Sequence, residues 1–148
     1  MASQSKEDQL RRILYELQLM EGTAQVLQQR LQILTSAQAE LSLSQQSIND
    51  MKELKPDTPL LVPVGGGAFI HAKTGSLDKV IVGVGANVSI EMELPKALDD
   101  VNKRLEEVEK TLASVEEQLG QVLAQMQSHQ EAGNRLSAKL QGEAARVR

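Results

Sequence analysis

The sequence predicts a mainly α fold: a long antiparallel two-helix coiled coil carrying two central β-hairpins, stable only as an oligomer. Three observations predict it. Both ends of the chain repeat apolar residues every seven positions, the middle is glycine-broken and β-branched, and Tyr15 and Phe69 are the only aromatic side chains. A globule of 148 residues ordinarily leans on several aromatics for core area. Their scarcity suits a thin helix seam instead. The predicted divisions are an N-terminal helix in 1–57, a double hairpin in 58–94 and a C-terminal helix in 95–148, all parts of one domain.

The first helix is expected from about Ser5, where Ser5 and Asp8 have capping-box spacing, to Lys55. One column of its repeat is Leu10, Leu17, Ala24 and Leu31, continued by Gln38 and Gln45; the other is Ile13, Met20, Leu27, Leu34, Leu41 and Ile48. Alternating steps of three and four place both columns on one face, the a/d seam of a coiled coil. Gln38 and Gln45 are polar breaks that set the register or mark where it drifts. Pro56 and Pro59 stop the helix, because neither can donate a backbone N–H.

The last segment repeats the pattern more cleanly. Leucine or valine fills every seam position from Leu98 to Val122, and Pro95 fits a first helical turn. Each helix would be roughly 65–75 Å long at 1.5 Å per residue. Folding one back on the other buries both seams, with each fully buried Leu or Val contributing about 1.5–3 kcal/mol. Lys55 and Pro95 would then be neighbours, and the two termini would meet at the opposite end.

Between the helices lie four short β-type runs: Leu60–Val64, Ala68–Lys73, Val80–Val84 and Val88–Leu94, separated by glycine-containing turns. Two hairpins in series follow. With one phenylalanine they cannot form a core of their own, so they must pack on something or pair with other copies. The uncharged run Val80–Val84 leaves an edge open to a partner strand.

Several functions find no support. There is no cysteine, the net charge of −4 gives no reason to expect nucleic acid, and no apolar run approaches the roughly 18 residues that would mark a membrane span. Charged residues among the first leucines argue against a signal peptide, so a cytoplasmic protein is expected. Gly65-Gly66-Gly67 lacks the Gly-Lys-Ser/Thr of a phosphate loop, Gly83-x-Gly85 lacks its third glycine, and neither opens a helix. His71 and His129 lack convergent co-ligands; His129 is a polar spot in the seam that would let the distal third of the coil breathe. No catalytic pair is apparent, so no enzyme activity, cofactor or metal is expected.

Specific residues then meet a family. Leu61-Val62-Pro63-Val64-Gly65-Gly66-Gly67-Ala68-Phe69-Ile70 resembles the LVPVGxGxF stretch of archaeal-type prefoldin α subunits, and Val82-Gly83-Val84-Gly85-Ala86-Asn87-Val88 resembles the glycine-rich stretch that follows it there. The triple glycine and the Ala-Asn pair depart from the common forms. The resemblance covers the whole chain in layout and about thirty residues in motif. Two hairpins favour the α over the single-hairpin β subunit.

The resemblance implies an ATP-independent holdase chaperone: a hexamer of two α and four β prefoldin subunits, joined through a β platform, that grips unfolded polypeptides at its coiled-coil ends and delivers them to a group II chaperonin. Residues expected to assemble the platform are Leu61, Val62, Val64, Phe69, Ile70, Val80, Val82, Val84, Val88 and Ile90. Residues expected at the client-binding ends are Leu10, Ile13, Leu14, Leu17, Leu19, Leu136, Leu140 and Val147. Basic Arg135, Lys139, Arg146 and Arg148 near the C-terminus suit the helix dipole. The alternative is a structural or filament-forming coiled-coil protein of the same fold, assembling through its hairpins.

Overall fold

The computed structural model describes Met1–Arg148. Its elements follow in the order α1 (Ala2–Met51), β1 (Pro59–Gly65), β2 (Ala68–Lys73), β3 (Lys79–Gly85), β4 (Val88–Glu93) and α2 (Leu94–Arg146). The chain divides into a terminal unit, Met1–Thr35 with Lys110–Arg148, and a central unit, Ser36–Glu109.

Helix boundaries differ from the expected ones in three places. α1 begins at Ala2 rather than Ser5, whose N–H donates to the Met1 carbonyl at 3.1 Å inside the first turn. It ends at Met51; the next three N–H groups, of Lys52, Glu53 and Leu54, each reach back three residues, the tightened winding of a closing helix. Leu94 belongs to α2 and not to the last strand. Its N–H donates to the Asp78 carbonyl at 3.0 Å, and Pro95 follows in the first turn, where no N–H is missed.

In the terminal unit the two helices run antiparallel with seams facing. Lys6 pairs with Glu143, Glu16 with His129, and Gly133 lies under Leu10 and Ile13. The buried apolar side chains are few: Ala24 and Leu27 of α1, and Leu112 and Val115 of α2. Leu119, Val122, Met126, Leu136 and Leu140 are only half-buried.

The central unit holds the denser core. Ile48, Met92, Leu94, Ala97 and Val101 form one buried cluster, with Leu41, Met51, Val80, Val82 and Leu98 packed against it. Ala97, wholly enclosed, is the small residue that lets the elements approach. Gln45 interrupts the seam as expected, and its amide donates to Asn102 Oδ1 at 2.6 Å across the helix pair. A polar contact across the pair is met in only one alignment, so it marks the register locally.

Each hairpin is a separate two-stranded antiparallel sheet. In the first, Leu61 lies opposite His71 and Val62 opposite Ile70; in the second, Ile81 lies opposite Glu91 and Val82 opposite Ile90. Both turn by the same device. A bulged glycine with positive φ (Gly65 at 97°, Gly85 at 103°) precedes two left-handed residues, Gly66-Gly67 in one and Ala86-Asn87 in the other. Two consecutive left-handed residues match the twist of the flanking strands, the type I′ arrangement. Glycine adopts it freely, whereas Ala86 at φ 51° is strained.

Candidate interaction surfaces

The central unit exposes more apolar surface than its core can use. The second hairpin lays one face on the helices: Val80, Val82 and Met92 join the core, and Arg104 Nη1 donates to the Gly83 carbonyl at 3.2 Å. On its other face Ile81 is 76% exposed, and toward the turn Val84, Val88 and Ile90, on the same side as Val82, run out into solvent. The first hairpin contributes nothing to the core cluster, and Leu60, Leu61, Val64, Phe69 and Ile70 are all exposed. Its base is tied by polar contacts instead. Asp57 N–H donates to the Thr74 carbonyl at 2.8 Å, Thr74 N–H to the Thr58 carbonyl at 3.0 Å, and the Thr74 hydroxyl to the Lys55 carbonyl at 2.9 Å.

The expected platform set therefore divides. Leu61, Val64, Phe69, Ile70, Val84, Val88 and Ile90 lie on the open surface. Val80 and Val82 are turned by strand alternation onto the helix core, and Val62 is half-buried. Ile81 and Leu60, outside the expected set, are exposed as well. In an unbroken apolar run such as Val80–Val84, period alone cannot say which residues face outward; the polar partner Glu91 opposite Ile81 is the signal that could have found it.

The terminal unit presents a second apolar surface. Leu14 and Val147 are 56% and 88% exposed. Leu10, Ile13, Leu17, Leu136 and Leu140 are half-buried, closing the seam incompletely. A groove of about 540 Å³ opens beside them, lined by Leu10, Leu14, Leu17, Met126 and Gly133 with Gln18, Glu21, Gln130, Asn134 and Ser137. Gly133 keeps its floor low: a Cβ there would stand 3.3 Å from Ile13 Cγ2. Leu19 lies elsewhere, on an exposed outer row of α1 with Tyr15, Val26 and Ile33.

His129 is anchored at both ring nitrogens. Nδ1 lies 3.0 Å from the Gln125 carbonyl oxygen and Nε2 lies 2.7 Å from Glu16 Oε2, while Arg12 Nε donates to Glu16 Oε1 at 3.1 Å. The His129 hydrogen bond, and then that of Arg12, hold the Glu16 carboxyl below its ordinary value. The polar spot expected in the seam is thus a cross-helix clasp. No group of three or more His, Cys, Asp or Glu side chains is placed to hold a metal ion. No helix is long and apolar enough to cross a membrane.

Known proteins share this arrangement. The family model for "Prefoldin subunit" matches residues 20–139. Prefoldin subunit alpha of Pyrococcus horikoshii is 31% identical over 105 residues, covering 70% of each chain. The alpha subunit of Methanococcus aeolicus is 36% identical over 96 residues, covering 65% of each. Among solved structures, filamentous PFD from Methanocaldococcus jannaschii, determined by cryo-EM, superposes with a TM-score of 0.65 at 25% identity, covering 76% of this chain and 93% of that one.

Proposed function

The chain belongs to the prefoldin family, and from that premise we propose that it is an α-type subunit of an ATP-independent holdase that assembles with β-type subunits into an α2β4 hexamer, binds unfolded polypeptides, and passes them to a group II chaperonin. The observation that supports this best is the exposed apolar surface of the hairpins. Phe69, Ile70, Ile81, Val84, Val88 and Ile90 stand in solvent on strands with open edges. Such surfaces call for strands of other subunits, and a closed ring of them removes every edge.

Client binding would use the other surface. Leu14 and Val147 are open, and Leu10, Ile13, Leu17, Leu136 and Leu140 line a seam that opens as helix ends fray. Exposed apolar patches bind apolar segments of unfolded chains without chemistry or nucleotide. Several subunits holding one client multiply weak contacts through effective concentration. Native mass spectrometry after mixing with a β subunit is the test. The expected product is a closed hexamer with two copies of this chain that suppresses aggregation of a denatured protein without ATP. A folded monomer, or a hexamer inert toward denatured protein, would defeat the proposal.

One observation favours a second reading, a filament assembled through the hairpins. The structural relative from Methanocaldococcus jannaschii is itself filamentous. Hairpin edges that join head to tail without closing would build an open polymer. A ladder of masses, in place of a single hexamer peak, distinguishes the two.

A further inference from the structure

The groove of the terminal unit is built from two rows. Leu10, Leu14, Leu17 and Glu21 follow one another on α1 at steps of four, three and four residues. Met126, Gln130, Gly133 and Ser137 do the same on α2, and Leu123, 45% exposed, continues that row. Helix positions three and four apart are neighbours on one face, so each row is a wall. Two residues on from Leu14, Glu16 points to the other flank, where Arg12 and His129 take both its oxygens. The groove flank has no such closure. Glu21 is its only charged lining residue, and no side-chain hydrogen bond or ion pair within the chain engages Glu21, Gln18, Gln130 or Asn134. Between Glu117 and Glu131 the facing stretch of α2 has no lysine or arginine.

The client-binding reading above, on which this inference rests, brings an unfolded chain to this groove, and such a chain arrives extended. The dimensions say which stretch of it fits. Along the helix, Leu17 stands about 6 Å from Glu21, and the midpoint of Leu10 and Leu14 about 13.5 Å from it. An extended chain returns side chains to one face every second residue, at intervals of about 6.6 Å and then about 13 Å. Three alternate side chains therefore match the Leu10–Leu14 end, Leu17 and Glu21 in turn. The amides of Gln18, Gln130 and Asn134 along the rim offer donors and acceptors to the segment's backbone.

We propose that the groove takes an extended client segment with apolar side chains at two alternate positions and a lysine or arginine two residues beyond them. The first apolar side chain lies by Leu10 and Leu14, where Gly133 leaves the floor low, the second beside Leu17 and Met126, and the cation reaches Glu21. Such a segment is the inner face of a strand ending in a cation, covered in a folded protein and uncovered by unfolding. A carboxylate at the third position meets Glu21 and is disfavoured.

The test uses the full-length assembly with its β partner and a pair of short synthetic peptides, centred on Leu-Ser-Leu-Ser-Arg and Leu-Ser-Leu-Ser-Glu, whose second leucine is photoreactive. At low salt and sub-saturating peptide, illumination should link the arginine peptide to 10–21 or 126–137 of this chain. Its yield there should exceed that of the glutamate peptide about threefold, the scale of an exposed ion pair. Glu21→Lys, a change at an exposed position, should reverse the order. Links only to other residues, equal yields, or a preference that survives Glu21→Lys overturn the inference. If the assembly still keeps a denatured protein from aggregating, those results leave the client-binding reading standing. An assembly that protects nothing overturns that reading, and the inference with it.

Discussion

The central and terminal units are built from the same two helices, yet they close to different degrees. In the central unit the seam is backed by a hairpin: Met92, Val80 and Val82 cap Ile48, Ala97 and Val101, and the cluster is buried from both sides. In the terminal unit the seam has only itself. Beyond Val115 the one buried seam residue of α2 is Gly133, which contributes no side chain. A regular heptad repeat thus fixes pairing and direction, whereas a third element determines how completely the seam leaves water.

The sharpest way to break this comparison is a matched pair of truncations. Ile48→Ala should cost about 2–5 kcal/mol, the usual range for a buried aliphatic residue. Leu136→Ala, half-buried in the terminal unit, should cost roughly half as much or less, since little of its area leaves water. Urea unfolding measures both. Equal costs would mean that the two units are equally closed.

Smaller effects separate backbone strain from packing. Ala86→Gly should stabilise the second hairpin by about 1 kcal/mol, because alanine is held left-handed there. In the terminal unit, Gly120→Ala meets nothing within 4 Å and should gain close to the full helix-propensity difference, about 1 kcal/mol. Gly133→Ala should gain less, since its Cβ would press on the stiff Ile13 side chain. Thermal unfolding of the two variants side by side checks the order; a larger gain at Gly133 would show that the groove beneath Ile13 is looser than its geometry.

The smallest effect is electrostatic. Glu16 is held below its ordinary value by His129 and Arg12. A depressed carboxyl contributes stability that is fully present above the unfolded value, about pH 4.3, and is lost as pH falls through the folded one. Glu16→Gln should therefore flatten the acid limb of the terminal unit's stability, read by amide exchange near His129. An unchanged acid limb would show that the clasp contributes nothing.

Much of this fold was legible because its signals are periodic. Leu98 to Val122 could hardly be read as anything but a seam, and two hairpins followed from glycine-separated β-branched runs. What was not legible depends on contacts between distant residues. Val80 and Val82 look like Val84 in sequence, and only docking on Ile48 and Val101 separates them. His129 read as a weak spot because its partner Glu16 lies 113 residues away, and the register joining them is set by how the chain turns between the helices. The start of α1 was misplaced because Ser5 has capping chemistry but the helix runs past it to Ala2.

The central claim is a division of labour: hairpins assemble, and incompletely closed helix ends hold clients. Deleting about a dozen residues from each terminus removes Leu10, Leu140 and Val147 and leaves the core and hairpins of the central unit whole. Native mass and light-scattering assays of the shortened chain with its β partner measure both halves of the claim together. The account predicts an intact hexamer that no longer prevents a denatured protein from aggregating; a shortened assembly that protects as well as the full-length one would contradict it.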